Sequence, residues 1–68
     1  MSREIEIIAE REDIGKRLDL FMTHNIAEIT RNAAQILIQN GNVQCGGAIL
    51  KKNYKLRGDE TLIVTIPD

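Results

Sequence analysis

Thr30-Arg31-Asn32-Ala33-Ala34-Gln35-Ile36-Leu37-Ile38-Gln39-Asn40-Gly41-Asn42-Val43-Gln44-Cys45-Gly46-Gly47 is the stretch on which the fold turns. Thr30 is a residue type that caps helix N-termini by accepting from the free amides of the first turn. Behind it, Ala33, Ala34, Leu37 and Ile38 form adjacent i, i+4 pairs that predict an inward face, with Ile36 at its margin. Arg31, Gln35 and Gln39 share the same spacing, so they make a polar row directed away from the core. Asn40-Gly41 stops this helix of 31–39, because glycine tolerates the left-handed conformation common at helix ends. Val43-Gln44-Cys45 then alternates, and Gly46-Gly47 permits the positive φ angles of a two-residue hairpin turn into Ala48-Ile49-Leu50.

Working outward, Glu4-Ile5-Glu6-Ile7-Ile8-Ala9 alternates polar and apolar residues and predicts a first strand near 4–9. Asp13 is a plausible N-cap for a helix of about 14–24, whose stripe is Ile14, Leu18, Phe21 and Met22. Lys16, Arg17, Thr23 and His24 fall largely off that stripe. A loop over Asn25–Ile29 leads to Thr30. Lys51–Arg57 reads as a polar loop and Gly58-Asp59 as a turn. Thr61-Leu62-Ile63-Val64-Thr65-Ile66 is the clearest strand, with Leu62, Val64 and Ile66 on one face and Pro67 ending it. The order β–α–α–β–β–β predicts an α+β fold, two helices packed on a small, mostly antiparallel sheet.

The 68 residues suit one domain. A domain of this size buries only about 60% of the surface its unfolded chain exposes, so the expected core is modest. Phe21 and Tyr54 are the only aromatics, which argues against modules that stack several bases on a sheet of rings. The net charge of −1 hides an asymmetry. Residues 1–13 set Arg3 and Arg11 against Glu4, Glu6, Glu10, Glu12 and Asp13, a balance of −3. Residues 14–58 set Lys16, Arg17, Arg31, Lys51, Lys52, Lys55 and Arg57 against Asp19 and Glu28, a balance of +5. Asp59, Glu60 and Asp68 return −3 at the end. A local basic patch governs phosphate binding more than the total does. A polar, partly basic helix face beside a lysine-rich loop points to a small surface for phosphate-rich RNA.

Single residues have blander readings too. Asp19 either orients Arg17 or is a solvated helix-surface carboxylate. Tyr54, beside Leu56, fits a core edge better than a base-stacking ring. Cys45, alone and without a nearby base, reads as a small buried apolar residue. His24 near a helix C-terminus suits the dipole there. No metal-ligand spacing surrounds Cys45 or His24, the glycines form no phosphate-loop spacing, and no nucleophile–base pair is visible. The sequence therefore calls for no metal, no cofactor and no catalytic residue. No apolar run approaches the roughly 20 residues that span a bilayer. The charged, alternating N-terminus is unlike a signal peptide, making the cytoplasm the expected compartment.

Three blocks of the chain resemble the small RNA-binding domain named after ribosomal protein S-four, also called the αL motif. They are Gly15-Lys16-Arg17-Leu18-Asp19-Leu20-Phe21; Thr30-Arg31 through Gln35, Leu37-Ile38 and Gly41-Asn42-Val43; and Lys52-Asn53-Tyr54-Lys55-Leu56 with Gly58-Asp59. The version resembled is that at the N-terminus of ribosomal large-subunit pseudouridine synthases, and the match covers nearly all of residues 5–67. The resemblance implies a helix pair and loop that grip structured, ribosomal RNA mainly through its backbone. Arg17, Thr30, Arg31, Gln35, Lys51, Lys52 and Lys55 are the contacts expected here. The family usually has a second basic residue two positions after Arg31, where this chain has Ala33, which lowers the affinity expected of the isolated domain. It usually has Asn-Gly where this chain has Gly46-Gly47, which suits the turn equally. In that family the catalytic aspartate lies in a separate, larger domain in cis. Residues 1–68 are thus expected to be an excised accessory domain that itself catalyses nothing, and Asp13, Asp19 and Asp59 do not stand for the catalytic residue. A free-standing ribosome-associated protein of the same fold is an alternative, tested by whether the reading frame runs on for about 200 residues. A protein-interaction domain using the acidic ends and an apolar edge is another.

Overall fold

A computed structural model of the protein describes residues 2–67, so that Met1 and Asp68, the latter counted with the acidic end, lie outside it. Alternation produces the two longest strands. β1 (Arg3–Ile8) pairs antiparallel with β4 (Thr61–Ile66), from Arg3 opposite Ile66 to Ile8 opposite Thr61. The hairpin of β2 (Val43–Cys45) and β3 (Ala48–Ile49) turns on Gly46 and Gly47, both at positive φ. β2 adds to the other edge of β4, giving an open antiparallel sheet in the order β1-β4-β2-β3. Two helices, α1 (Leu18–Asn25) and α2 (Arg31–Gln39), complete an α+β fold.

The core lies between the helices and one face of the sheet. Leu18, Phe21 and Met22 of α1 meet Ala34, Leu37 and Ile38 of α2 above Ile7, Val43, Leu62 and Val64. Ala33 is half-buried, Ile66 is half-buried, and Ile36 stays largely exposed at the helix margin. Cys45 is half-buried against the core and Tyr54 packs at its edge. Glu4 and Glu6, of opposite parity to buried Ile7, lie on the sheet face turned away from the helices.

The helix expected over 14–24 begins only at Leu18. Gly15 adopts φ +83°, outside the helical region, and its amide donates to the Leu56 carbonyl. Leu56 donates back to Lys16, and Arg17 and Lys55 form an antiparallel bridge. The chain therefore turns at Gly15 and runs on through Lys16 and Arg17 beside the 54–56 loop, and Arg17, in extended conformation, occupies the N-cap position of α1 rather than its interior. Asp13 caps no α-helix. Its carboxylate accepts from the Glu10 amide at 2.9 Å and from Lys16 Nζ at 2.9 Å, closing a short 3-10 turn at Arg11–Asp13. Ile14, freed from the expected stripe, is exposed.

Gly58 is the one glycine whose geometry also excludes a side chain. It sits at φ +97°, and a Cβ there would lie 2.6 Å from Ile14 Cγ1 and 3.2 Å from the Glu10 carbonyl oxygen. Ile14 can swing into solvent, but the backbone angle cannot be relieved so cheaply. Gly58→Ala is expected to cost about 1 kcal/mol. Urea denaturation measures this, and a midpoint equal to the parent's would remove the conformational requirement.

Candidate functional site

Capping starts α2 where the sequence places it. The Thr30 hydroxyl oxygen accepts from the Ala33 amide at 3.1 Å. Arg31 then stands in the first turn, where helix geometry leaves amides without intrahelical partners and the dipole favours an anion. Gln35 and Gln39 follow at one-turn intervals along the same exposed face.

Beneath this row lies the side chain that organises it. Asp19, in the first turn of α1, is 2% exposed. Its Oδ1 accepts from the Leu20 amide at 2.9 Å, and its Oδ2 accepts from Gln35 Nε2 at 3.0 Å. Arg31 Nε approaches Oδ2 and Arg17 Nε approaches Oδ1, each at 3.5 Å. Burial pushes the Asp19 carboxyl up. The Gln35 amide, the Leu20 N–H and the two guanidinium groups outweigh that and hold it below its ordinary value of 3.8. It is ionised at neutral pH. Of the two readings of Asp19, the orienting one holds and reaches further, since a single carboxylate ties Arg17, Arg31 and Gln35 together across both helices.

The facing wall comes from the loop after β3. Arg17, Gln35, Gln39, Lys52, Asn53 and Lys55 line an open groove of about 910 Å³ with Asp19 at its floor. The Arg17–Lys55 bridge fixes this loop to the N-terminus of α1. Its far end is fastened by Glu60, which is 4% exposed. One Glu60 oxygen accepts from the Tyr54 hydroxyl and from the Arg57 amide at 2.8 Å. The other accepts from the Gly58 and Asp59 amides at 3.0 and 3.2 Å. Burial raises the Glu60 carboxyl, but Tyr54 and the backbone amides draw it down from 4.5 to about 2. The same contact pushes the Tyr54 hydroxyl up to about 12, with burial adding to the shift.

Of the expected site residues, Arg17, Gln35, Lys52 and Lys55 line one groove. Arg31 borders it through Asp19, and the Thr30 hydroxyl oxygen caps α2 while its exposed O–H is still able to donate. Lys51 is exposed beyond the lining. Gln39 and Asn53 join the groove without having been expected there. Gln39 carried a signal, the repeat of Gln35 one turn on, and Asn53 stood between Lys52 and Tyr54 in the third block of the resemblance. Asp19 carried the orienting reading toward Arg17, but its link to Gln35 comes only when the two helices pack. Glu60 carried no signal, although its partners Tyr54, Arg57, Gly58 and Asp59 all lie within six residues. Glu60, counted above only in the acidic balance of the C-terminal end, is a buried anchor.

Exposed cations and amides around a pinned carboxylate can hold oxyanions and hydrogen-bond the groups beside them. Among the described residues no group of three or more His, Cys, Asp or Glu side chains could hold a metal ion, and no helix is long and apolar enough to cross a membrane.

No family model matches the chain. It is 29% identical over 65 residues to an uncharacterized RNA pseudouridine synthase of Bacillus subtilis (strain 168), covering 96% of this chain and 22% of the relative. It is 36% identical over 56 residues to an uncharacterized RNA pseudouridine synthase of Synechocystis sp. (strain ATCC 27184 / PCC 6803 / Kazusa), covering 81% of this chain and 17% of the relative. The chain thus spans about a fifth of the length of the curated relatives it matches.

Proposed function

We propose that residues 1–68 are a single RNA-binding domain of the ribosomal-protein-S-four type, an accessory to a pseudouridine synthase. Structured RNA, ribosomal RNA in the first instance, is gripped through its phosphates in the cytoplasm. Catalysis belongs to another domain of a longer chain. The observation that carries this reading is the groove in which Arg17, Lys52 and Lys55 converge beside the Arg31–Gln35–Gln39 row. The charge pattern agrees with it, because Glu4 and Glu6 are kept on the opposite side of the sheet. The likeness to two RNA pseudouridine synthases over a small part of their length supports the accessory role.

Binding that rests on phosphates weakens steadily with salt and discriminates little among RNAs of similar shape. Filter binding of a folded ribosomal RNA fragment across a salt series tests this. Arg31→Ala is expected to weaken binding roughly fivefold and to lower the log–log salt slope by about one unit. Its 52% exposed side chain contributes little to stability, so the fold should hold. Lys52→Ala is expected to lose less, being a point charge on an exposed loop. Salt-insensitive binding, or an Arg31→Ala protein that binds like the parent, would sink the reading.

A further inference from the structure

One polar atom of the groove does not suit a phosphate. Asp19 is ionised and can only accept, so the Gln35 amide nitrogen must be the atom that faces it at 3.0 Å. That orientation is dictated by chemistry, and it turns Gln35 Oε1 away from Asp19. Among the described residues no donor meets Oε1, while the side chain lines the groove. The result is an acceptor held in a fixed direction among cations. Letting the amide rotate would strip a 98% buried carboxylate of its best-placed side-chain donor, so the direction is maintained by Asp19.

A phosphate drawn in by Arg17, Lys52 and Lys55 carries no proton at neutral pH and would repel that oxygen. The ligand must therefore bring a hydrogen-bond donor close to its phosphate. In RNA every nucleotide supplies one, the ribose 2′-hydroxyl, whereas a base amine is present only in some sequences and lies further from the backbone. We propose that Gln35 Oε1 accepts a hydrogen bond from a ribose 2′-hydroxyl whose neighbouring phosphate is held by the groove cations, so that Gln35, positioned by Asp19, selects ribonucleotides over nucleotides lacking that hydroxyl. This rests on the RNA-binding reading and adds the group recognised and the residue that reads it.

The test compares a short RNA hairpin with the same hairpin carrying 2′-fluoro sugars, which keeps the phosphates and the A-form shape but cannot donate. The parent protein is expected to bind the ribose hairpin about two- to tenfold more tightly, the value of one hydrogen bond. Gln35→Leu should bring the two affinities together with the salt slope unchanged. Gln35→Lys keeps a donor for Asp19 but removes the acceptor, so it too should lose the preference, whatever its added charge does to affinity overall. A parent that binds both hairpins equally overturns this inference and leaves RNA binding standing. So does a Gln35→Lys protein with the parent's preference. Equal binding of the two hairpins together with a loss of affinity when inosine replaces guanosine assigns the donor to a base and overturns it as well. No binding to either hairpin overturns it together with the RNA-binding reading.

Discussion

Glu60→Gln is expected to lower the stability of the protein by about 2 kcal/mol at pH 7, a fall in Tm of roughly 10 °C for a domain of this size. The carboxylate accepts four hydrogen bonds, and an amide in its place must turn an N–H₂ toward the Tyr54–Arg57 pair or toward Gly58 and Asp59. The depressed carboxyl gives an independent size. Moving from 4.5 to about 2 corresponds to about 3 kcal/mol at full weight. Arg57 and Asp59 beside it are exposed, so solvent screening trims this to about 2 kcal/mol. Because the folded value lies below the unfolded one, the contribution is present in full above about pH 4.5 and fades as pH falls toward 2. Thermal denaturation across that window should show the parent converging on Glu60→Gln, whose own curve lacks this pH dependence. A constant gap between the two proteins from pH 7 to pH 2 would show that the carboxylate's charge is not what fastens the loop. RNA affinity at neutral pH is expected to fall modestly as well, since the loop so fastened carries Lys52 and Lys55 into the groove wall.

What could be read along the chain follows the range of the forces involved. The limits of α2, its Thr30 cap, the glycine hairpin and β4 depend on neighbours within a few residues, and the sequence pattern places them correctly. The start of α1 does not follow such a pattern. Apolar spacing from Ile14 onward favours a helix, but Gly15 and the pairing of residues 15–17 with Tyr54–Leu56 override it, and that pairing spans about forty residues of chain. The same distinction runs through the site. Exposed cations announce themselves by composition, whereas the burial of Asp19 exists only after the two helices have met. Glu60 closes a local turn that no apolar spacing or helix-cap pattern marks. Asp19 needs Gln35 sixteen positions away, and without that partner an acid beside Arg17 looks like ordinary surface charge. The groove was legible as a patch of charge. Its internal order was not.

Asp19→Asn separates that internal order from charge. The substitution keeps the side-chain volume, so the core residues Leu18 and Phe21 around it are not disturbed by a cavity. Its oxygen is best used on the Leu20 amide, which leaves its nitrogen facing Gln35. Gln35 then relaxes by flipping, accepting from the new amide and presenting its own nitrogen to the groove. Arg17 and Arg31 lose a charged partner at 3.5 Å, a modest change because both are about half exposed. Together the lost charge-assisted hydrogen bonds are expected to cost about 1.5–2 kcal/mol of stability, seen as a lower Tm at pH 7. Two effects on RNA then oppose each other. Removing a negative charge from the groove floor frees two guanidinium groups for phosphate, which strengthens binding at low salt and steepens its salt dependence. Reversing Gln35 removes the fixed acceptor, which abolishes the preference for ribose over 2′-fluoro sugars. The expected protein is less stable, at least as adhesive at low salt, and unselective. Retention of the parent's ribose preference by Asp19→Asn would mean that Gln35 is oriented by something other than this carboxylate. Loss of all RNA binding, in a protein shown by circular dichroism to be folded, would mean that Asp19 does more than position its neighbours.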